Sequence, residues 1–121
     1  MKLTILGSGT SQGIPVIACQ CPVCKSTDKH DKRLRCSAML EIAGKKLVID
    51  AGPDFRYQML RSGVEDIRAI LLTHGHKDHV GGLDDVRAFN WVKKGSVDVY
   101  GNEGSKKAVY NDFAYAFSDY R

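Results

Sequence analysis

Thr73-His74-Gly75-His76-Lys77-Asp78-His79-Val80-Gly81-Gly82-Leu83 is the stretch on which the reading of this chain turns. Three of the four histidines of the 121-residue sequence fall inside it, with an aspartate among them. The lead-in Arg68-Ala69-Ile70-Leu71-Leu72 is short, apolar and β-favouring, which predicts a buried strand. Gly75 breaks the strand, so His74 and His76 sit on a turn, and Asp78 and His79 open the next helix. Neutral imidazole suits Zn, Fe and other transition metals, while a carboxylate adds charge and accepts harder ions. The spacing predicts that His74 and His76 clasp one metal and that Asp78 and His79 reach a second beside it. Two metals roughly 3.5–4 Å apart can share a hydroxide and clamp both oxygens of a hydrolytic displacement. One histidine at a strand end is usually a surface or satisfied core residue. Four metal-ligand side chains on one strand-to-helix turn need another explanation. The spacing is not the His-Glu-x-x-His of zinc peptidases, which sets two histidines one helical turn apart.

Upstream, Leu47-Val48-Ile49-Asp50-Ala51-Gly52 places Asp50 at the C-terminus of another strand. A carboxylate there is expected to orient a ligating imidazole from behind, as metal-bound histidines usually require. The competing reading is a helix cap or turn residue. Residues 37–42 and 46–49 read as two strands around the tight hairpin Ala43-Gly44-Lys45. Residues 53–61 read as a helix, with Pro53 in the first turn, Gly63 past the end, and Phe55, Met59 and Leu60 at core spacing. Downstream, residues 84–92 suggest a helix ending near Gly95, with Val86, Phe89 and Val92 packed on the sheet. Residues 97–100 alternate like a strand, and Asn102 opens a last helical stretch to Tyr115.

At the other end, residues 2–6 read as a first strand followed by Gly7-Ser8-Gly9-Thr10-Ser11-Gln12-Gly13. A dinucleotide-binding loop is excluded. The third glycine comes one position late for G-x-G-x-x-G, and Ile14-Pro15-Val16-Ile17 stands where a helix should begin. Next come Cys19, Cys21 and Cys24, with Cys36 twelve residues later. Cysteines this crowded, with no secretory signal, argue for metal rather than disulfides. Three thiolates need a fourth ligand, and Cys36, His30 or a residue from elsewhere are the candidates. A full thiolate shell leaves no open position for chemistry, so a structural zinc is expected.

The order His-x-His-x-Asp-His, after an apolar strand and before Gly-Gly-Leu, resembles the signature of the metallo-β-lactamase-fold hydrolases. The strand ending in Asp50-Ala51-Gly52 is similar to the Asp-x-Gly strand of the same superfamily. Gly-x-Gly-x-x-x-Gly-x-Pro, then Cys-x-Cys-x-x-Cys, a basic stretch and Arg35-Cys36-Ser37, resembles the branch containing the phosphonate-operon cyclic phosphodiesterases, which act on a ribose cyclic phosphate. The resemblance runs from about Leu3 to Leu83. It implies an α/β chain forming the N-terminal half of a four-layer αββα sandwich, residues 1–121, with a Cys-rich zinc-binding insertion at 19–36. Cys19, Cys21 and Cys24 match the ligands of that branch's structural zinc, and the glycine loop matches one that borders the active site. The implied function is a metal-dependent phosphodiesterase for a small, anionic, cyclic phosphodiester. Two divalent metals (Zn or Mn) at the active site would activate a hydroxide, with Asp78 doubling as proton acceptor. An RNA 3′-processing nuclease and a thioester or lactam hydrolase share the motif. A non-catalytic zinc-binding module is the rival from another class.

The superfamily's centre needs further histidines and an aspartate, and no histidine follows His79 here. The missing C-terminal half, or a second copy of the chain, is therefore an expected partner, and these 121 residues by themselves are expected to be inactive. The balance of 18 basic against 14 acidic residues gives a formal charge of +4. That excess suits an anionic substrate and equally a solvated surface. The cysteine insertion favours a small cyclic phosphodiester over nucleic acid, since a nuclease would more often want an extended basic arm. There is no apolar run of transmembrane length and no signal peptide, so a cytoplasmic location without membrane contact is expected.

Overall fold

A computed structural model of the chain describes residues 1–117; residues 118–121 of the expected 1–121 unit lie outside the described part. Five strands form one sheet in chain order: β1 (Lys2–Gly7), β2 (Ser37–Ile42), β3 (Lys45–Ile49), β4 (Ala69–Leu71) and β5 (Asp98–Tyr100). β1 pairs with β2 and β2 with β3 in antiparallel fashion, while β3 with β4 and β4 with β5 are parallel pairs. The β2–β3 hairpin turns on Ala43 and Gly44, both at positive φ (52° and 77°). That is the two-residue turn whose twist matches the flanking strands.

The parallel strands require crossovers. Helix α2 (Phe55–Ser62) links β3 to β4, ending on Gly63 in the left-handed conformation. Between β4 and β5 run α3 (Lys77–Val80), a 3-10 turn at Leu83–Val86 and α4 (Arg87–Lys93); α5 (Glu103–Asp112) follows β5. The expected single helix over 84–92 is thus a 3-10 turn and a short α-helix, and it ends near Gly95 as expected, capped by Lys94 at φ 51°. The insertion holds the one-turn helix α1 (Pro22–Lys25) and a 3-10 turn at Lys29–Asp31.

Alternation decides the two faces of the sheet. Leu6, Met39, Val48 and Ile70 point to one side and bury against Phe55, Met59, Val86 and Phe89. Leu60 and Val92 are corrections to the expected core. They are 62% and 76% exposed and flank an open groove between α2 and α4, because helical spacing cannot tell the middle of an apolar stripe from its rim. On the other side, register places Leu3 beside Leu40, Leu40 beside Leu47, Ile49 beside Leu71, and Leu71 beside Tyr100. Leu3, Ile5 and Tyr100 on this side are 57–59% exposed. No helix among the described residues is long and apolar enough to cross a membrane.

The parallel strands β3 and β4 finish at the same edge, and the loops that leave them carry the histidines and Asp50. Ligand sites in such sheets form outside the carboxyl ends of the strands.

Candidate metal centre

Asp50 follows the last residue of β3 and is 3% exposed, with φ 65°. Left-handed backbone is rare for a residue with a Cβ, and aspartate is one of the few that adopt it. The reason here lies in what the carboxylate reaches. The Thr73 backbone N–H donates to Oδ1 at 2.8 Å, the Thr73 hydroxyl to Oδ2 at 2.7 Å, and His79 Nδ1 to Oδ2 at 2.6 Å. A carboxylate only accepts, so His79 donates from Nδ1, which leaves Nε2, facing Asp78, as the nitrogen a metal would take in place of a proton.

Thr73 extends the same logic to His74. Its single hydroxyl proton is committed to Asp50, so the 3.0 Å contact with His74 Nδ1 has the ring as donor. His74 Nε2 is then the atom left to ligate. One buried carboxylate therefore sets the tautomer of two imidazoles, one directly and one through a hydroxyl. The sequence reading gave Thr73 no role, although a hydroxyl beside the first histidine was visible in it.

Backbone bonds lock the histidine turn onto the end of β3. Ala51 N–H donates to the His79 carbonyl at 2.8 Å, and Gly82 N–H donates to the Ala51 carbonyl at 2.9 Å. A Cβ on Gly52 would overlap the Asp78 carbonyl oxygen, and one on Gly82 would overlap the Gly52 carbonyl. Glycine is required at both places by close approach of backbone to backbone.

Ligand atoms of His74, His76 and Asp78 lie within 4.8 Å of one another. The His74 ring centroid is 4.6 Å from that of His76 and 4.0 Å from that of His79. His79 Nε2 stands 3.0 Å from Asp78 Oδ2, so Asp78 reaches both the His74–His76 pair and His79. Two or three imidazoles and a carboxylate converging at a strand end, two of the rings with their outer nitrogens already committed, fit divalent metals such as Zn or Mn.

The insertion forms a second cluster. Cys19, Cys21 and Cys24 place their sulfurs within 4.8 Å of one another. The backbone N–H of Cys24 donates to Cys21 Sγ and that of Val16 to Cys24 Sγ, both at 3.4 Å. The Cys24 N–H, together with the Cys19 side chain, holds the Cys21 thiol below the usual range. The bonds at Cys21 favour thiolate, the form that binds zinc, whereas at Cys24 the Val16 N–H is outweighed by the Cys19 side chain and burial, which push that thiol up. Cys36 is exposed and is not grouped with these three, and His30 Nδ1 is bonded to Asp28 Oδ1 at 3.0 Å.

Comparison with known proteins identifies the family and the fold. The family model of the metallo-beta-lactamase superfamily matches residues 33–120. A solved diphosphatase from the PhnP family shares 50% sequence identity with the chain at a TM-score of 0.91, over 95% of this chain and 46% of that one. Zn(2+)-bound PqqB from Methylobacterium extorquens has the same fold, at 26% identity and a TM-score of 0.61, over 84% of this chain and 46% of its own. An octanoyltransferase of Porphyromonas gingivalis (strain ATCC BAA-308 / W83) is 45% identical over 118 residues, 97% of this chain but 24% of that protein. The chain thus spans less than half the length of each of these proteins.

Proposed function

The chain belongs to the metallo-beta-lactamase superfamily, and from that premise we propose that it supplies one face of a metal-dependent hydrolase acting at phosphorus, on a small and cyclic phosphodiester. The observation that carries this reading is the convergence of His74, His76 and Asp78 around one point, with His79 held against it by Asp50. Likeness to a PhnP-family diphosphatase directs the chemistry toward phosphorus rather than toward a lactam or thioester. It also favours a second reading, cleavage of a diphosphate. Both need an anionic phosphoryl group near metals.

His74 and His76 would hold one metal through neutral rings, and Asp78 with His79 a second. When bound, such metals lower the pKa of water and neutralise charge on phosphoryl oxygens. The residues themselves orient and exclude. Asp50 and Thr73 keep two rings in the ligating tautomer, and the Ala51–Gly82 clamp keeps the turn from sagging away. Asp78, whose side chain is 22% exposed, is the group placed to accept a proton at Oδ2. The cysteine cluster would hold a structural zinc through Cys19, Cys21 and Cys24, with its fourth ligand outside this trio.

The apolar outer face of the sheet requires a cover. The proposed partner is a second α/β half of the same sandwich, or failing that a second copy of this chain, and it would also bring the remaining metal ligands.

The test is a metal-loaded preparation of this chain together with the half that completes the sandwich, assayed on a ribose cyclic phosphate, a nucleoside diphosphate, an RNA with a 3′ extension, a thioester and a β-lactam. Turnover of a phosphoester or diphosphate is expected, and Asp78→Ala should abolish it while elemental analysis shows a metal lost. Turnover of the lactam or thioester alone would defeat the reading. A single tightly held zinc, with the histidine cluster empty, would support the non-catalytic module instead.

A further inference from the structure

The basic stretch between Lys25 and Arg35 has no part in either metal cluster, yet it is not left loose. Arg33 and Ile14 exchange backbone hydrogen bonds at 2.8 and 2.9 Å, and Gly9 N–H donates to the Leu34 carbonyl at 2.7 Å. The segment is thereby strapped beside the loop that leaves β1. Between strap, strand edge and α2 lies a cavity of about 300 Å³. Its ionisable lining is Lys29, His30, Lys32, Arg33 and Arg61, with Ser8 beside them and no carboxylate.

Two guanidinium groups are fixed there by neutral partners. Arg33 donates from Nε to the His30 carbonyl at 3.0 Å and from Nη1 to Ser8 Oγ at 2.9 Å. Arg61 donates from Nη2 to the Leu6 carbonyl and lies 5.7 Å from the Tyr57 ring centroid. Lys32 donates to the Ser26 carbonyl. Among the described residues, Lys29, Lys32, Arg33 and Arg61 form no ion pair, and the strap's Asp28 bonds to His30. Arg35, two residues on, is the contrast. It is paired with Asp54 at 3.2 Å and donates to the Ser11 carbonyl, so its charge is spent on structure.

Ordered guanidinium forks with N–H groups to spare and no counter-charge match a phosphate oxygen cluster. Guarding an edge strand against aggregation would need only mobile lysines. The position is also informative. β1 and β3 are each antiparallel to β2, so Gly7 and Asp50 fall at the same end of the sheet. Two strand spacings, about 10 Å, separate them.

We propose that this cavity is a phosphoryl-binding subsite, and that it takes a phosphate group of the substrate other than the one cleaved. The substrate part rests on the phosphorus reading above; the anion site does not. Calorimetric titration with inorganic pyrophosphate, the cysteine cluster kept zinc-loaded and the histidine cluster emptied by His74→Ala with Asp78→Ala, tests the site without the active-site metals. Binding is expected in the parent and in Lys45→Gln at the far hairpin, and at least tenfold weaker in Arg33→Gln and Arg61→Gln. Ser8→Ala, which frees Arg33 without removing charge, should weaken it less, and far-UV circular dichroism checks that each variant is folded. No binding by the parent, or equal loss in Lys45→Gln, overturns the site. In the completed protein, with the histidine cluster intact and metal-loaded, Arg33→Gln should raise KM for a cyclic phosphodiester bearing a second phosphate and leave bis(p-nitrophenyl) phosphate unaffected. Equal effects on both would show that the cavity takes free phosphate and not the substrate. Failure of the metal reading would appear separately, as turnover of neither compound by the completed, metal-loaded protein.

Discussion

Oδ2 of Asp50 lies 2.6 Å from Nδ1 of His79, although 29 residues separate them and Asp50 must hold a left-handed backbone to get there. The bond decides which nitrogen of His79 faces the metal cluster. Asp50→Asn keeps the shape and tolerates the backbone, but an amide no longer offers two anionic acceptor oxygens to Thr73 and His79. Metal affinity, measured by competition with a chromogenic chelator, should fall about 10- to 100-fold. An unchanged affinity would show that the carboxylate only caps the strand.

Thr73 is predicted to act through His74 and not by bulk. Thr73→Val preserves the β-branched shape and removes the hydroxyl that accepts from Nδ1, whereas Thr73→Ser retains it. The valine variant should lose about tenfold in metal affinity and the serine variant should recover most of it, on the scale expected for such outer partners. A cobalt-loaded preparation gives an independent spectroscopic reading of the ligand field at His74. Equal behaviour of the two variants would assign Thr73 to packing.

Much of this was readable along the chain, and what was not has a common cause. The strand-to-histidine turn, the β2–β3 hairpin and the cysteine cluster are local patterns, each carried by a short continuous run of residues. Thr73, Gly52 and Gly82 matter because of what folds onto them from elsewhere. The Asp50-Ala51-Gly52 pattern could be recognised, but not the Asp78 carbonyl that makes the glycine compulsory. Likewise Leu60 and Val92 have core spacing in sequence, and the exposed groove between α2 and α4 appears only when both helices are in place. The cationic lining of the β1 cavity joins Arg61 to the strap across 28 residues from Arg33, a distance no motif spans.

Gly52→Ala should therefore be among the most damaging small substitutions. The added methyl meets backbone, which cannot swing aside as a side chain would, so either β3 or α3 must move. A loss of about 1–3 kcal/mol is expected from denaturant titration, accompanied by weakened metal binding because Asp78 shifts with its carbonyl. Gly44→Ala, where nothing lies within 4 Å, serves as the control for the backbone conformation alone.

The cysteine cluster predicts a separable metal. Cys21 combines a thiol held low by the Cys24 N–H with a place at the start of α1, so it should be a strong zinc ligand. Cys21→Ser should release one zinc, lower the thermal midpoint and loosen residues 19–36 in hydrogen exchange. The affinity of the histidine cluster should be unchanged. Loss of metal from both clusters together would mean that they are not independent.

The outer face of the sheet gives the last prediction. Leu3, Ile5, Leu40, Ile42, Leu47, Ile49, Leu71 and Tyr100 alternate onto one side, while the buried core lies wholly on the other. An apolar surface spanning four strands and reaching the fifth is larger than soluble monomers usually leave open. Size-exclusion chromatography with light scattering on residues 1–121 alone should show a dimer or larger species. Ile5→Lys with Ile42→Lys should shift it toward monomer, because each buried ammonium would have to be desolvated against a hydrocarbon face. The histidine cluster sits at the edge of the sheet and not on this face, so the double variant should keep its affinity for the first metal. A parent chain that runs as a stable monomer at micromolar concentration would mean that the face needs no cover, and the proposed sandwich partner would lose its physical basis.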